Sequence, residues 1–224
     1  MKYFLFFLIL ILSLVYNNNV IAQYNVGVSA GMTKSWENYG EVETPEDAEL
    51  HIYGKYVTFR AYKELNRNFQ IGLEPSVTQK GARCEPGFFV FNSDTYLYLN
   101  YIDLPVIVKY DLSIFQEVIS IQSKLGYGPS FLRKAFRGVL LSDGDQNIGD
   151  LELNEVPLSK PFSEKGEFAR FEHSLFSGIA FGVNFGKNKI ILEADYIYGL
   201  SNVNRLTTSK SRTIKWGLGY NYQF

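Results

Sequence analysis

The chain has 224 residues, aromatic side chains at 16% of positions and a formal net charge of −1. It carries no basic stripe, so it has no electrostatic footprint for nucleic acid. A mean hydropathy of −0.09 excludes a bundle of spanning helices but not a membrane barrel, where only alternate strand residues need be apolar. The single cysteine, Cys84, excludes an internal disulfide framework and a cysteine-based metal cluster.

The N-terminus has the pattern of an export signal. Lys2 precedes an apolar run from Tyr3 to Val15 that only Ser13 interrupts, and Val20-Ile21-Ala22 supplies small or β-branched residues before Gln23. The run is shorter than the roughly 20 residues that a spanning helix needs. Residues 1–22 are therefore expected to be a signal peptide cleaved before Gln23, with no cysteine there for a lipid anchor. Residues 23–224 are expected to form one domain, an outer-membrane β-barrel.

From Tyr24 onward the periodicity is two. In the first strand, Tyr24 to Trp36, Val26, Val28, Ala30 and Met32 alternate with Gly27, Ser29, Gly31 and Thr33. An acidic loop containing Pro45 follows. The second strand, Ile52 to Lys63, sets Tyr53, Val57 and Phe59 against Tyr56, Thr58 and Arg60. The third, Phe69 to Ala82, sets Ile71, Leu73 and Val77 against Gln70, Glu74, Thr78 and Lys80, with a bulge expected at Pro75. The fourth, Thr95 to Asp111, sets Ile102, Leu104, Val106 and Val108 against Tyr101, Asp103 and Lys109. The fifth, Val118 to Arg133, sets Ile121, Leu125 and Tyr127 against Gln122, Lys124 and Gly126. The longest connection is expected over Lys134 to Glu167. The sixth strand, Phe168 to Phe185, is followed by the tight turn Gly186-Lys187-Asn188. The seventh, Lys189 to Leu200, sets Ile190, Leu192 and Tyr196 against Glu193 and Asp195. The last, Ser211 to Phe224, alternates Ile214, Trp216, Leu218, Tyr220, Tyr222 and Phe224 with Lys215, Gly217, Gly219 and Asn221.

These are eight strands whose connections alternate long and short. That asymmetry predicts an all-β, eight-stranded antiparallel up-and-down transmembrane barrel, with short turns in the periplasm and longer loops outside. A barrel of this size is filled by its own side chains. The inward charges are expected to form a lumen network of Arg60, Glu74, Lys80, Asp103, Lys109, Lys124, Glu193, Asp195 and Lys215. Counting register from the turns, Arg60 faces Glu74, Lys80 lies near Asp103, and Lys215 lies near Glu193 or Asp195. A soluble barrel around an apolar ligand would invert the pattern, and alternation alone leaves both orientations open.

Several segments together resemble the PorT-like outer-membrane β-barrel family. Leu73-Glu74-Pro75-Ser76-Val77-Thr78-Gln79-Lys80-Gly81 is similar to one of its strands, with Ser76 where that pattern has an acid. Tyr101-Ile102-Asp103-Leu104-Pro105 leading to Lys109 is similar to another, with Asp103 in place of Glu. Gly126-Tyr127-Gly128-Pro129, Tyr196-Ile197-Tyr198-Gly199-Leu200-Ser201-Asn202 and the closing Gly217 to Phe224 complete the resemblance. It implies an eight-stranded barrel in the outer membrane of Gram-negative bacteria and says little about activity. One branch of the family is tied to a protein-secretion and gliding apparatus.

Candidate chemistry is sparse. His173 and Ser174 are adjacent, so on a strand they point to opposite faces. His51 lies by Glu49. Asp143, Asp145, Asn147 and Asp150 approach the spacing of a calcium loop, but Ile148 stands where the turn glycine belongs. No cofactor, metal or catalytic residue is expected. The expected function is structural or interactive, through long extracellular loops. A narrow pore, a lipid-handling barrel and a lipid-modifying enzyme are the alternatives. Expected partners are outer-membrane lipid, the barrel-assembly machinery through the C-terminal strand ending at Phe224, and a protein at the outer loops; nucleic acid is not among them.

Overall fold

The computed structural model describes residues 23–38, 51–84, 93–115, 118–141, 153–156, 169–202 and 209–224. They form one antiparallel sheet that closes on itself. Strand β1 (Tyr24–Asn38) pairs with β2 (Ile52–Glu64) on one side and with the terminal β11 (Lys210–Gln223) on the other. The next stave is β3 (Phe69–Leu73) followed by β4 (Ser76–Cys84), and the one after is β5 (Ser93–Asp103) followed by β6 (Val106–Ile114). Strands β7 (Ile119–Leu141), β9 (Phe171–Phe185) and β10 (Asn188–Gly199) complete the ring. A short β8 (Leu153–Val156) pairs with the outer end of β7 and stands off the ring. The barrel has eight staves, up and down, as the alternation predicts.

Two staves are broken midway, one at Pro75, where a bulge is expected, and one at Pro105, inside a strand expected to be continuous. The ladder stops at Glu74-Pro75 and again at Leu104-Pro105, because proline has no N–H to give it. Single bonds carry the wall across. The Phe59 N–H donates to the Pro75 carbonyl at 2.9 Å, that of Glu74 to Pro105 at 3.2 Å, and that of Leu104 to Pro129 at 2.9 Å. The pleat keeps its phase through both breaks. Gln70, Glu74, Ser76, Thr78 and Lys80 all lie buried inside, as do Tyr101, Asp103, Ile107, Lys109 and Asp111 on the neighbouring stave.

The fifth stave also differs, running to Leu141 rather than ending at Arg133. Leu132 pairs with Tyr101 and Lys134 with Asn100, so Arg133 is the extra residue of a bulge. The bulge resets the alternation and turns both Leu132 and Ala135 inward. Residues 134–141 and β8 thus occupy part of the stretch expected to be loop.

The apolar face looks outward. Val57, Phe59, Leu73, Val77, Leu125, Phe181, Leu192 and Leu218 are between 41% and 65% exposed, while Lys80, Asp103 and Glu193 are at most 2% exposed. A belt of this kind is too large and continuous for a water-facing monomer. The ring leaves no unpaired wall edge, which is the condition for crossing a bilayer with strands. The inverse, soluble arrangement is thereby excluded. Tyr24, Phe69, Phe185, Tyr220 and Phe224 stand exposed around the end with the short turns, and Tyr53, Tyr127, Phe131 and Phe171 around the other, where aromatic girdles meet the two interfaces.

Both described chain ends lie with the short turns. The Phe224 N–H donates to the Tyr24 carbonyl at 2.9 Å, and the Glu64 N–H to that of Gln23 at 3.0 Å. The turn between β9 and β10 needs its glycine for conformation alone. Gly186 has a φ of 62° and nothing within 4 Å of the place a Cβ would take.

Leu192 sits mid-belt, in register with Leu218 on one side and Phe181 on the other. Leu192→Lys is expected to destabilise the lipid-embedded barrel by about 2–4 kcal/mol. Denaturant unfolding in vesicles measures this, and an unchanged midpoint would mean that the face does not meet lipid.

Candidate functional site

At mid-height the lumen is crossed by a cluster of charges delivered by the inward phase of four staves, with Glu193 and Asp195 both on β10. Lys124 of β7 is its centre. Its Nζ lies 3.0 Å from Glu74 Oε2, 3.2 Å from Glu193 Oε2 and 2.9 Å from Asp195 Oδ2. Arg60 of β2 is the second cation, bonded through Nη2 to Glu193 and to the Ser29 hydroxyl (2.7 Å), with its Nε 3.3 Å from Glu74 Oε1. Two tyrosines complete the shell. The Tyr56 hydroxyl donates to Glu193 Oε1 at 2.9 Å and that of Tyr62 donates to Glu74. Glu74 occupies the gap before Pro75, so the wall breaks where one of its acids reaches inward.

Toward the outer end, Lys80 Nζ lies 3.1 Å from Asp103 Oδ1, 3.9 Å from Glu172 Oε2 and 4.6 Å from the centre of the Tyr101 ring. Ser211 donates to Glu172. Above these, Leu97, Leu99, Tyr101, Leu132 and Ala135 pack into an apolar plug. Toward the short turns, Lys189 Nζ and Gln122 Nε2 both donate to Asp111 Oδ2 at 2.7 Å. Lys109 rests 4.1 Å over the Tyr62 ring. Lys215 is in register with Asp195, and its ammonium reaches Thr58 Oγ1 at 3.2 Å and sits 4.5 Å over the Tyr56 ring.

Of the nine expected lumen charges, Arg60, Glu74, Lys124, Glu193 and Asp195 share one cluster. Lys80 and Asp103 form a pair, and Lys109 and Lys215 rest on aromatic faces. Asp111, Glu172 and Lys189 were not among the nine. Glu37, buried in register with Ser211, is a fourth inward charge outside the nine. The phase of the first three was readable: Asp111 is in step with Lys109, Lys189 with Glu193, and Glu172 with the inward Ser174.

Close approach by these side chains explains two inward glycines. A Cβ at Gly178 would fall 2.1 Å from Asp195 Oδ1 and 3.0 Å from Lys124 Cε, and one at Gly199 would fall 1.9 Å from Glu172 Oε1.

The candidate enzyme residues do not converge. His173 lies on the outer face, its Nδ1 2.7 Å from the Tyr127 hydroxyl and its ring stacked on that tyrosine. Ser174 is fully buried on the lumen side, 3.5 Å from Ser130 Oγ. His51 packs edge-on against Tyr53 near the rim. Asp143, Asp145, Asn147 and Asp150, the expected signal segment and the side chain of Cys84 lie outside the described residues.

Lys124→Met removes a cation from three buried acids. Breaking such a group costs about 3–5 kcal/mol. The folded, heat-modifiable gel band of this variant is expected to convert at a much lower temperature. Adding Glu74→Gln is expected to recover part of the loss, as coupled neighbours do. Strictly additive losses would show that the two side chains do not interact.

No family model matches the chain, and no curated protein does either. Among solved structures, it is similar to Neisserial surface protein A (TM-score 0.48, 13% identity, 90% of this chain and 97% of that one). It is also similar to the attachment invasion locus protein Ail of Yersinia pestis (0.41, 19%, 91% and 99%) and to the outer membrane protein OprG of Pseudomonas aeruginosa (0.49, 8%, 89% and 95%). At these scores the likeness carries no functional conclusion. The ring without an open edge, the lipid-facing belt, the paired girdles and the uneven turns are those of a bacterial outer-membrane β-barrel, and that membrane is where the chain resides.

Proposed function

We propose that this chain is a non-enzymatic outer-membrane barrel whose lumen is sealed by its own charges. Its role is structural or interactive, carried by the long connections at the outer end. The observation behind this reading is the position of Lys124, held among Glu74, Glu193 and Asp195 with Arg60 beside them, across the middle of the barrel. A conduction path needs groups that can release what they bind. Here the charged groups are bound to one another.

Kinship with the PorT-like barrels belongs to the same proposal. The two stretches that carry most of the resemblance lie side by side, with Ser76 in register with Asp103 and Leu73 with Val106. Their charged residues meet in the Lys80–Asp103 pair and their prolines interrupt adjacent staves. A non-catalytic role is supported by His173 and Ser174 lying on opposite faces of the wall. The proposed partners are lipid around the belt, the assembly machinery at the strand ending in Phe224, and a protein at the outer loops.

Purified chain added to a planar bilayer is expected to give no steady conductance. A stable, reproducible open level would overturn the sealed lumen and favour a transport role. His51→Ala and His173→Ala are each expected to leave the folded band and its membrane level unchanged. A lipid-hydrolysing activity lost in either variant would establish an enzyme instead.

A further inference from the structure

The lumen is not filled along its whole length. On the side of the short turns it widens into a vestibule of about 590 Å³, a size within the ~300–1,000 Å³ common for small-ligand sites. Asn221 forms its inner limit. Past that side chain the free volume falls to about 10 Å³ among Arg60, Tyr62, Lys109 and their neighbours. The vestibule is a blind pocket open to the periplasm.

Packed just behind its walls are polar atoms that no protein group satisfies. Among the described residues, Asn25 Oδ1, Gln70 Oε1, Asp111 Oδ1 and both polar atoms of the Asn221 amide are buried without a hydrogen-bond partner. All four side chains are more than nine-tenths buried and line the pocket. An oxygen of an amide or carboxylate only accepts, so four acceptors here call for donors, and leaving such groups unmet is costly. Both acids of the mouth are already engaged. Asp111 holds Lys189 and Gln122 through its other oxygen, and Glu64 Oε1 accepts from Gln223 at 2.8 Å.

These features select the ligand. A cation would meet Lys187, Lys189 and Arg67 on the same wall, and an anion would meet the unfilled acceptors. No aromatic side chain lines the pocket among the described residues, so an apolar molecule would have little to bury against. Hydroxyl groups are uncharged and both donate and accept. We propose that the periplasmic vestibule binds a small neutral saccharide. On binding, Asn25, Gln70 and Asp111 turn their unmet oxygens toward its hydroxyls, and the Asn221 amide turns to a further hydroxyl. The end of a cell-wall glycan and a free oligosaccharide share this chemistry; the wall glycan adds acetamido groups.

The test titrates the full chain, purified from outer membranes in detergent, with N,N′-diacetylchitobiose, with maltose and with putrescine, reading side-chain amide NMR signals. Saturable shifts of the Asn25, Gln70 and Asn221 amides with a sugar are expected. A preference for the acetamido sugar assigns wall glycan, and equal or better binding of maltose assigns a free sugar. Gln70→Leu is expected to weaken binding by about tenfold, the loss of one well-made hydrogen bond. Ser113→Trp obstructs the exposed rim without touching the buried walls and is expected to abolish binding. Shifts that rise linearly with both sugars, saturation by putrescine alone, or binding indifferent to both substitutions would overturn the proposal. Bilayer conductance reads the seal separately, so the two readings fail independently.

Discussion

Past Asn221 the lumen is only wide enough for side chains and has no room for the water that would otherwise solvate a charge. Every ionised group inside must therefore be solvated by another part of the protein. Lys124 shows the consequence. It is the common partner of Glu74, Glu193 and Asp195, which come from two other staves. Attraction inside such an assembly largely offsets the cost of taking the ions from water. Its contribution is better understood as register than as net stability. A one-residue slip of any stave would send its charge into lipid and bring a leucine or valine inside.

The same constraint shapes the residues that carry no charge. Tyrosines 56 and 62 each give a hydroxyl to a carboxylate and a ring to a lysine, serving both sides of the charge balance from one side chain. Glycines 178 and 199 yield their space to Asp195 and Glu172. Small and large residues on the inward face are thus two parts of one packing solution, and the glycine-rich face of the sequence is a record of where long side chains lie.

Much of this was legible in the residues themselves. Alternation assigned inside and outside along nearly every stave, because strand geometry leaves no other period. The pairs Arg60–Glu74 and Lys80–Asp103 followed from counting back from turns. What was not legible depended on events that reset or extend the count. The bulge at Arg133 is invisible in a stretch where charged and apolar residues are mixed, so the outer part of β7 was indistinguishable from loop. Asp111, Lys189 and Glu172 sit near strand ends but inside the expected strands, so their inward phase could be read from the residues. That Lys215 turns to Thr58 and Tyr56 depends on rotamers and on neighbours from distant staves, which register alone does not determine.

The two interruptions at Pro75 and Pro105 lie on neighbouring staves at one height. Each removes a rung from the wall, and their adjacency gathers the missing rungs into one place. The cylinder therefore has a built-in soft spot, distinct from the long, fully bonded closure between its first and last strands. Inward forces there are borne by Glu74, which ties the weakened panel to Arg60 on the adjacent stave and to Lys124 two staves away. The charge cluster around Lys124 is also the brace that keeps the cylinder round.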